Sequence, residues 1–269
     1  MANRFFRYSG SKLNYIKHII PLLNQSKKKI YVEPFAGSGA ILFNLEKEFE
    51  HYMINDIDKN IIRIYKTFQK VTFKEYQDSL LFIERTFGDI QDSKDSYYKF
   101  RDWFNVTYWN KDTIEEGLYL HALSNSCINS LLRFGPSGMN QSWGNRLYKM
   151  DRQSFSAVTS KLSRTELMNT SYKNAMLEYE YDAVYFLDPP YYNHDVGYDG
   201  FNLKEFTEFI DFILPYEYIY TDILNEINSN LPQRIKISDM RTVAPSSSKD
   251  ISHNEVLFTS IKLSKKSLF

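Results

Sequence analysis

Residues 30–39 read Ile-Tyr-Val-Glu-Pro-Phe-Ala-Gly-Ser-Gly, an apolar run that leads through a proline into a turn with two glycines. The run predicts a short buried strand at residues 30–32, and residues 40–49 have helical character. Residues 52–56, Tyr-Met-Ile-Asn-Asp, predict a second buried strand that ends in an acid, and residues 59–68 predict the helix that follows it. This repeated order of strand and helix is typical of the start of an α/β fold.

Hydrophobic periodicity in the rest of the chain predicts a region of alternating strands and helices and a region of helices alone. Further helices are predicted at residues 12–25 (with Pro21 as a kink), 73–87, 97–106, 114–124 and 203–214. Further strands are predicted at residues 183–187, 218–220, 234–237 and 256–263, and a loop at residues 245–249. We therefore predict an α/β fold with a doubly wound, Rossmann-like sheet, formed by residues 1–71 and 166–269. A mostly helical domain at residues 72–165 interrupts it.

The composition excludes several classes of protein. With 43% hydrophobic and 25% charged residues and no long apolar run, the chain is typical of a soluble globular protein, and no membrane partner is expected. The first residues lack a signal-peptide core, so we expect a cytoplasmic location. One cysteine, Cys127, excludes an internal disulfide, and the five histidines lack metal-ligand spacing, so no metal is expected.

The charges are balanced in number but not in distribution. The 33 basic and 33 acidic residues cancel. Basic residues gather at 3–29 and 133–152, and the second stretch has Asp151 as its one acid. Such runs are either solvated surface or contacts to nucleic acid. Aromatic residues make up 16% of the chain, more than a core usually needs, which leaves some available to stack on bases.

The glycine turn at residues 35–39 indicates a ligand site. Glycines let backbone approach a ligand closely, and a following helix would offer N–H groups. The alternative is a tight turn that binds no ligand. The turn lacks the Gly-Lys-Ser/Thr of a P-loop and the third glycine of a dinucleotide loop, which disfavours these two kinds of nucleotide-binding loop. Asp56 follows about 20 residues later, where a carboxylate accepts both hydroxyls of an adenosyl ribose. Asp58 is expected to cap the next helix.

Residues 188–191, Asp-Pro-Pro-Tyr, are the strongest local signal of catalysis. Two prolines cannot continue a strand, so the chain leaves the sheet rigidly at the edge where ligands of such sheets bind. The carboxylate of Asp188 and the carbonyl of Pro189 then form two fixed acceptors for an exocyclic NH₂, and Tyr191 offers a face for a planar base. Such acceptors would favour a tetrahedral nitrogen whose lone pair attacks a sulfonium methyl in line.

Four motifs in this order resemble the Dam-type (alpha-class) DNA adenine-N6 methyltransferase family: residues 8–12, 33–39, 55–56 and 188–191. The resemblance implies an enzyme that binds S-adenosylmethionine, flips an adenine out of double-stranded DNA and methylates its N6 amine. The implied cofactor contacts are Tyr8, Lys12, Glu33, Pro34, Phe35, Ala36, Gly37, Ser38, Gly39, Asp56, Ser171, Tyr172 and Asp188. The residues implied to hold the flipped adenine are Asp188, Pro189, Pro190 and Tyr191.

The resemblance continues inside the insertion, which it implies to be a DNA target-recognition domain. Residues 129–133, Gly138 and residues 144–146 resemble the family's DNA-reading hairpin, and Arg241 with residues 254–258 resembles its final strands. The implied DNA contacts are Ser130, Leu132, Arg133, Asn140, Asn145 and Arg146. The chain departs from the family at Ser11, commonly a glycine, and at Ser171, commonly an acid. A cognate restriction nuclease is a possible partner, and a phage–host setting is a possible context; the choice between them is left open.

Several other activities compete with adenine methylation. Cytosine-N4 methylation acts on the same kind of amine, but Asp rather than Ser at position 188 favours adenine. Cytosine-C5 methylation needs an attacking thiolate, whereas Cys127 is expected to be a small buried residue. A protein-glutamine or small-molecule methyltransferase would have little use for the basic, aromatic insertion. A catalytically silent DNA-binding or decoy protein is disfavoured because Asp188, Tyr191 and the glycines are intact.

Overall fold

A computed structural model of the chain describes residues 4–147, 149–191, 201–242 and 251–262, without the side chains of 237–242 and 251–254. The predicted loop at residues 245–249 lies outside these ranges, as do the side chains of Arg241 and Asn254. The chain forms two compact units. The helical unit comprises Met1–Asn14, Gly37–Asn44 and Asn55–Asn169, and the sheet unit comprises Tyr15–Ala36, Leu45–Ile54 and Thr170–Phe269. The predicted domain division at residues 72 and 165, which concerns roles in catalysis and DNA recognition, stays a prediction.

The sheet unit contains a mostly parallel sheet. Its strands are β1 (Ile30–Glu33), β2 (His51–Asn55, of which Asn55 falls in the helical unit), β6 (Ala183–Leu187), β7 (Glu217–Ile223), β8 (Arg234–Thr242) and β9 (Ile251–Thr259). They lie in the order β2-β1-β6-β7-β9-β8; the pairs from β2 to β7 are parallel, and β9 is antiparallel to both of its neighbours. Burial along the parallel strands is nearly continuous, as expected for strands covered on both faces. The predicted α/β class is confirmed.

Helices α1 (Ile16–Leu23), α7 (Tyr172–Leu177) and α8 (Leu203–Ile213) belong to the sheet unit. Pro21 lies inside α1, at the predicted position. At the start of α8, Asn202 and Glu205 cap one another's backbone N–H groups at 3.0 Å each, which fixes where this helix begins. The helix then buries Phe206 and Phe209 on one face, as its periodicity predicts.

The helical unit is built from helices around an aromatic core. Its helices are α2 (Lys59–Phe68), α3 (Phe73–Phe87), α4 (Lys94–Thr107), α5 (Ile114–Ser126) and α6 (Arg152–Leu162), and its strands are β3 (Phe134–Gly135), β4 (Gly138–Met139) and β5 (Thr165–Met168). The predicted helices at residues 59–68 and 73–87 are confirmed residue by residue. Asp58 caps α2 as predicted, by accepting the Asn60 N–H at 2.8 Å. Cys127 is buried as predicted, which raises the pKa of its thiol to about 12.

The predicted helix at residues 40–49 is wrong. The segment contains only a short 3-10 turn at Leu42–Asn44. Residues 40–43 are all buried, whereas an amphipathic helix would bury one face and expose the other. The glycine turn is therefore not followed by a helix N-terminus, and its own amides must serve as donors. Sequence periodicity also missed three short elements, α6, β5 and α7.

Candidate active site

The glycine turn is held in place by contacts from three directions within the helical unit. Gly37 has a φ of +47°, in the left-handed region that favours glycine, and a Cβ there would lie 2.9 Å from the ring of Tyr8. The hydroxyl of Tyr65 donates to the carbonyl of Gly37 at 2.9 Å. The Gly37 N–H donates to Oδ2 of Asp56, also at 2.9 Å. The turn is thus rigid, and the ring of Tyr8 lies against it; a role for Tyr8 in the cofactor pocket stays a prediction.

Asp56 follows strand β2 and is 9% exposed. Besides Gly37, the Asp58 N–H donates to its carboxylate, on Oδ1 at 2.9 Å. Burial raises the pKa of Asp56 to about 6, although these N–H donors act in the opposite direction. Asn169 donates to the backbone carbonyls of Asp56 and Ile57, at 2.7 and 3.1 Å, which fixes the loop. The result is a partly desolvated carboxylate beside a glycine turn.

Residues 8–12 line the same turn. The hydroxyls of Ser11 and Ser38 lie 3.2 Å apart, so Ser11 reaches the glycine turn with its side chain. Lys12 is 5% exposed, and its Nζ donates to the carbonyl of Gly10 at 3.0 Å. Gly39 has a φ of +65° and, like Gly37, lies close to its neighbours.

The remaining predicted cofactor residues lie in the sheet unit. Phe35 stacks on Tyr172 with ring centroids 5.4 Å apart. Ser171 precedes Tyr172 and caps α7 by accepting the Asn174 N–H at 3.3 Å. Glu33 is 2% exposed and accepts a hydrogen bond from Tyr31 at 2.9 Å. The flanking residues Pro34 and Ala36 complete the connection from β1 to the glycine turn.

The Asp-Pro-Pro-Tyr motif begins where β6 ends. Strand β6 is parallel to its neighbour β1, with Val32 opposite Tyr185, so residues 33–35 and 188–190 leave the sheet at the same edge. The hydroxyl of Thr221, on the other neighbouring strand β7, donates to Oδ1 of Asp188 at 2.6 Å. The carboxylate of Asp188 is thereby oriented from an adjacent strand. Pro189 is buried and Pro190 half-buried, consistent with a rigid exit.

Tyr191 is held by a residue that lies far along the chain. Its hydroxyl donates to Oε1 of Glu255 on β9, at 2.6 Å, and Glu255 is 1% exposed. Burial, with the nearby carboxylate of Asp188, raises the pKa of Tyr191 well above its usual range, so it stays a neutral donor. The ring is half-buried. Tyr191 is therefore anchored through its hydroxyl and presents its ring from a fixed position.

A further buried acid, Asp222, was missed by the sequence reasoning. It lies next to Thr221 on β7 and accepts hydrogen bonds from the Tyr220 hydroxyl and, at 2.8 Å, from the side-chain amide of Asn228. Burial raises its pKa to about 7. The available signal was the triplet Tyr-Thr-Asp at residues 220–222, which places polar groups near the carboxyl end of a buried strand.

The predicted DNA contacts lie around the hairpin formed by β3 and β4. Arg133, Asn140, Asn145 and Arg146 are exposed and Ser130 is half-buried. Leu132 is different, since it is 5% exposed and its side chain packs in the interior. Its predicted contact with DNA stays a prediction, while the neighbouring Arg133 is exposed.

None of the helices in the described ranges combines the length and the apolar character that a membrane span requires. In the same ranges, no cluster of three or more His, Cys, Asp or Glu side chains is arranged to hold a metal ion.

Known proteins resemble the chain at the level of sequence. The sequence pattern of the D12 class N6 adenine-specific DNA methyltransferase family matches residues 8–217. A Type II methyltransferase from Methanocaldococcus jannaschii is 28% identical over 199 residues, which cover 70% of this chain and 68% of that protein. The DNA adenine methylase of Vibrio cholerae is 26% identical over 191 residues, 70% of this chain and 64% of that protein.

Two other known proteins are similar to the chain. The DNA N-6-adenine-methyltransferase of Escherichia phage P1 is 26% identical over 190 residues, which cover 69% of this chain but 24% of that protein. The match therefore spans about two thirds or less of each of these three relatives. The solved structure of an rRNA methylase from Streptococcus thermophilus aligns with 93% of this chain and 97% of that chain, at 9% identity and a TM-score of 0.33. That TM-score is too low to support an inference.

Proposed function

The chain belongs to the D12 class N6 adenine-specific DNA methyltransferase family, and from this we propose that it methylates the N6 amine of an adenine flipped out of double-stranded DNA. The proposed methyl donor is S-adenosylmethionine. When bound, this cofactor supplies a methyl group activated by a positively charged sulfur.

The residues around the glycine turn fit that cofactor. A buried carboxylate at Asp56 can accept ribose hydroxyls, because each of its oxygens has more than one lone pair and each accepts one backbone N–H at 2.9 Å. Gly37 and Gly39 adopt left-handed backbone that lets a ligand approach the main chain. In the proposal Tyr8 and Lys12 line this pocket. The stacked pair Phe35 and Tyr172 lies beside the adenine of the cofactor.

The orientation of Asp188 carries the proposed chemistry. The amine of adenine is a poor nucleophile because its lone pair is delocalised into the ring. A carboxylate and the carbonyl of Pro189 at the end of β6 can accept both amine hydrogens and so favour a tetrahedral nitrogen. These two acceptors would hold the amine nitrogen in line with the sulfonium methyl that a bound cofactor would supply, and the carboxylate of Asp188 would accept the proton that N6 loses on methylation. Tyr191 stacks on the flipped base.

Methyl transfer from labelled S-adenosylmethionine to DNA of defined sequence tests the proposal. Digestion to nucleosides and mass spectrometry should yield N6-methyladenine, and mapping the modified positions should yield one short recognition site. Asp188→Ala should lower the rate by orders of magnitude while cofactor affinity stays nearly unchanged, because the lost contact strengthens as the nitrogen attacks. Asp211→Ala, at an exposed position on α8, is the matched control and should behave as wild type.

Three outcomes would contradict the proposal. N4-methylcytosine among the products would show that the enzyme methylates the N4 amine of cytosine instead of the N6 amine of adenine. Normal turnover by Asp188→Ala would place the active site elsewhere. Absence of methylation by a wild-type protein that binds both cofactor and DNA would favour a silent DNA-binding protein.

Two finer statements belong to the same proposal. The enzyme acts on DNA in the cytoplasm, and a restriction nuclease with the same recognition site is a candidate partner. The mapped site tests the second statement, because a nuclease partner must cut that sequence when it is unmethylated and spare it when it is methylated.

A further inference from the structure

The hairpin of β3 and β4 has too few contacts of its own to be rigid. Its ladder consists of two residue pairs, Phe134 with Met139 and Gly135 with Gly138. One more backbone hydrogen bond, from the Asn140 N–H to the Arg133 carbonyl at 3.0 Å, extends it. An isolated two-stranded hairpin is marginally stable at best in water. A rigid hairpin therefore needs support from another element.

Helix α4 supplies this support through Asn105. The side-chain amide of Asn105 donates to the Met139 carbonyl at 2.8 Å, and its carbonyl oxygen accepts the Met139 N–H, also at 2.8 Å. Asn105 thus pairs with both backbone groups of Met139, as a residue of an adjacent strand would. The approach is close at Gly138, where a Cβ would lie 2.4 Å from Oδ1 of Asn105. Gly138 also has a φ of +107°, so two constraints require glycine there.

Two more residues of α4 hold the next part of the chain. The hydroxyl of Tyr97, which is fully buried, donates to the Gln141 carbonyl at 2.9 Å, and Arg101 donates to the same carbonyl at 3.3 Å. Tyr97, Arg101 and Asn105 are spaced by four residues, which places them on one face of the helix. This face, which we term the α4 clamp, fixes the backbone of Met139 and Gln141.

The clamp bears directly on Arg133. Asn140, whose N–H binds the Arg133 carbonyl, lies between the two clamped residues. Reading a base with an arginine side chain demands placement within about 0.5 Å. We propose that Asn105 and Tyr97 are positioning residues for sequence recognition, and that they act through the hairpin rather than through contact with DNA. This inference rests on the proposed function, since it assumes that the hairpin reads DNA.

The test compares Asn105→Ala and Tyr97→Phe with Val106→Ala, a change at the neighbouring position, which is 86% exposed. Hydrogen exchange at the amides of Met139 and Asn140 reports on the hairpin without any reference to activity. Methylation of a randomised DNA library, followed by sequencing of the modified sites, reports on specificity. Tyr97→Phe removes one hydroxyl group and retains the aromatic ring. The clamp can therefore still be tested if Asn105→Ala does not fold.

We expect exchange at these amides to rise about tenfold or more in Asn105→Ala, since two hydrogen bonds are lost. Discrimination against near-cognate sites should fall severalfold in both clamp variants, while cofactor affinity and the Val106→Ala profile match wild type. An unchanged site profile in clamp variants that show faster exchange would overturn the proposed role in specificity. Unchanged exchange would overturn the clamp itself. Wild-type protein that methylates no DNA would instead overturn the proposed function, and with it this inference.

Discussion

Thr221 and Asp188 lie on neighbouring strands, and the hydroxyl of Thr221 donates to Oδ1 of Asp188 at 2.6 Å. Thr221 is fully buried, so this bond is shielded from water. A short, shielded bond to a charged acceptor restricts the rotation of the carboxylate. The neighbouring strand β7 thus decides how the proposed acceptor faces the target amine.

Thr221→Val should therefore slow methyl transfer. The change keeps the shape of the side chain and removes the hydroxyl, and a hydrogen bond to a charged group contributes roughly 1.5–3 kcal/mol. We expect the single-turnover rate to fall by about tenfold or more, with little change in cofactor affinity. Thr221→Ser retains the hydroxyl and should restore most of the rate. Equal rates for the Val and Ser variants would show that the hydroxyl does not orient Asp188.

The bond between Tyr191 and Glu255 makes a separate prediction. If Glu255 acts by anchoring the Tyr191 ring, Glu255→Leu should slow turnover in wild type but add little in a Tyr191→Phe background, where the donor is already gone. Glu255→Gln retains an acceptor and should stay near wild type. A double-mutant cycle on kcat measures this coupling, which we expect to be on the order of 1 kcal/mol. Additive effects of the two changes would mean that Glu255 acts on something other than Tyr191.

Cofactor binding should depend on pH through Asp56. Burial raises the pKa of Asp56 to about 6 in the protein without ligand. Ribose hydroxyls donate to the ionised form, so binding favours loss of the proton. Affinity for S-adenosylmethionine should therefore rise between pH 5 and pH 7 and level off above that, by up to about tenfold per pH unit at the acid end.

Calorimetry of Asp56→Asn and Asp56→Ala provides the control for this pH dependence. Both variants should bind more weakly at pH 8, where loss of a charge-assisted hydrogen bond costs roughly 1.5–3 kcal/mol. Both should also lose the change in affinity between pH 5 and pH 7. A pH dependence that persists in a folded Asp56→Asn protein would assign the titration to another group.

Local signals in the sequence identified Gly37 and Asp56 as candidates because each follows a buried strand, and the structure joins the two residues by a hydrogen bond of 2.9 Å. Their role in cofactor binding stays a prediction. Thr221 and Glu255 could not be predicted in the same way. They belong to strands β7 and β9, and only the pairing of distant strands brings them to Asp188 and Tyr191.

The failures of the sequence predictions have a related physical cause. The apolar residues 40–43 suggested a helix, yet all of them are buried, and hydrophobicity alone does not distinguish a buried turn from a buried helix. Burial within the hairpin motif could not be predicted either, since Leu132 is buried and its neighbour Arg133 is exposed; the DNA contact predicted for Leu132 stays a prediction. A motif identifies a segment, and packing then decides which side chains of that segment face outward.

Arg133 makes the last prediction, because it is exposed at the base of the hairpin while its backbone is paired with Asn140. We expect it to read a guanine, since an arginine fork can donate to both O6 and N7 of one guanine and discriminate by roughly 1–3 kcal/mol. A phosphate contact is the alternative, and Arg146, which is also exposed, is the better candidate for that role.

Arg133→Ala should relax preference at one position of the site. Arg146→Ala should weaken binding to all sequences. It should also reduce the slope of log affinity against log salt concentration by about one. Methylation of a randomised library by both variants separates these outcomes. If Arg133→Ala methylates the same sites as wild type, with activity reduced equally at all of them, Arg133 contacts the DNA backbone.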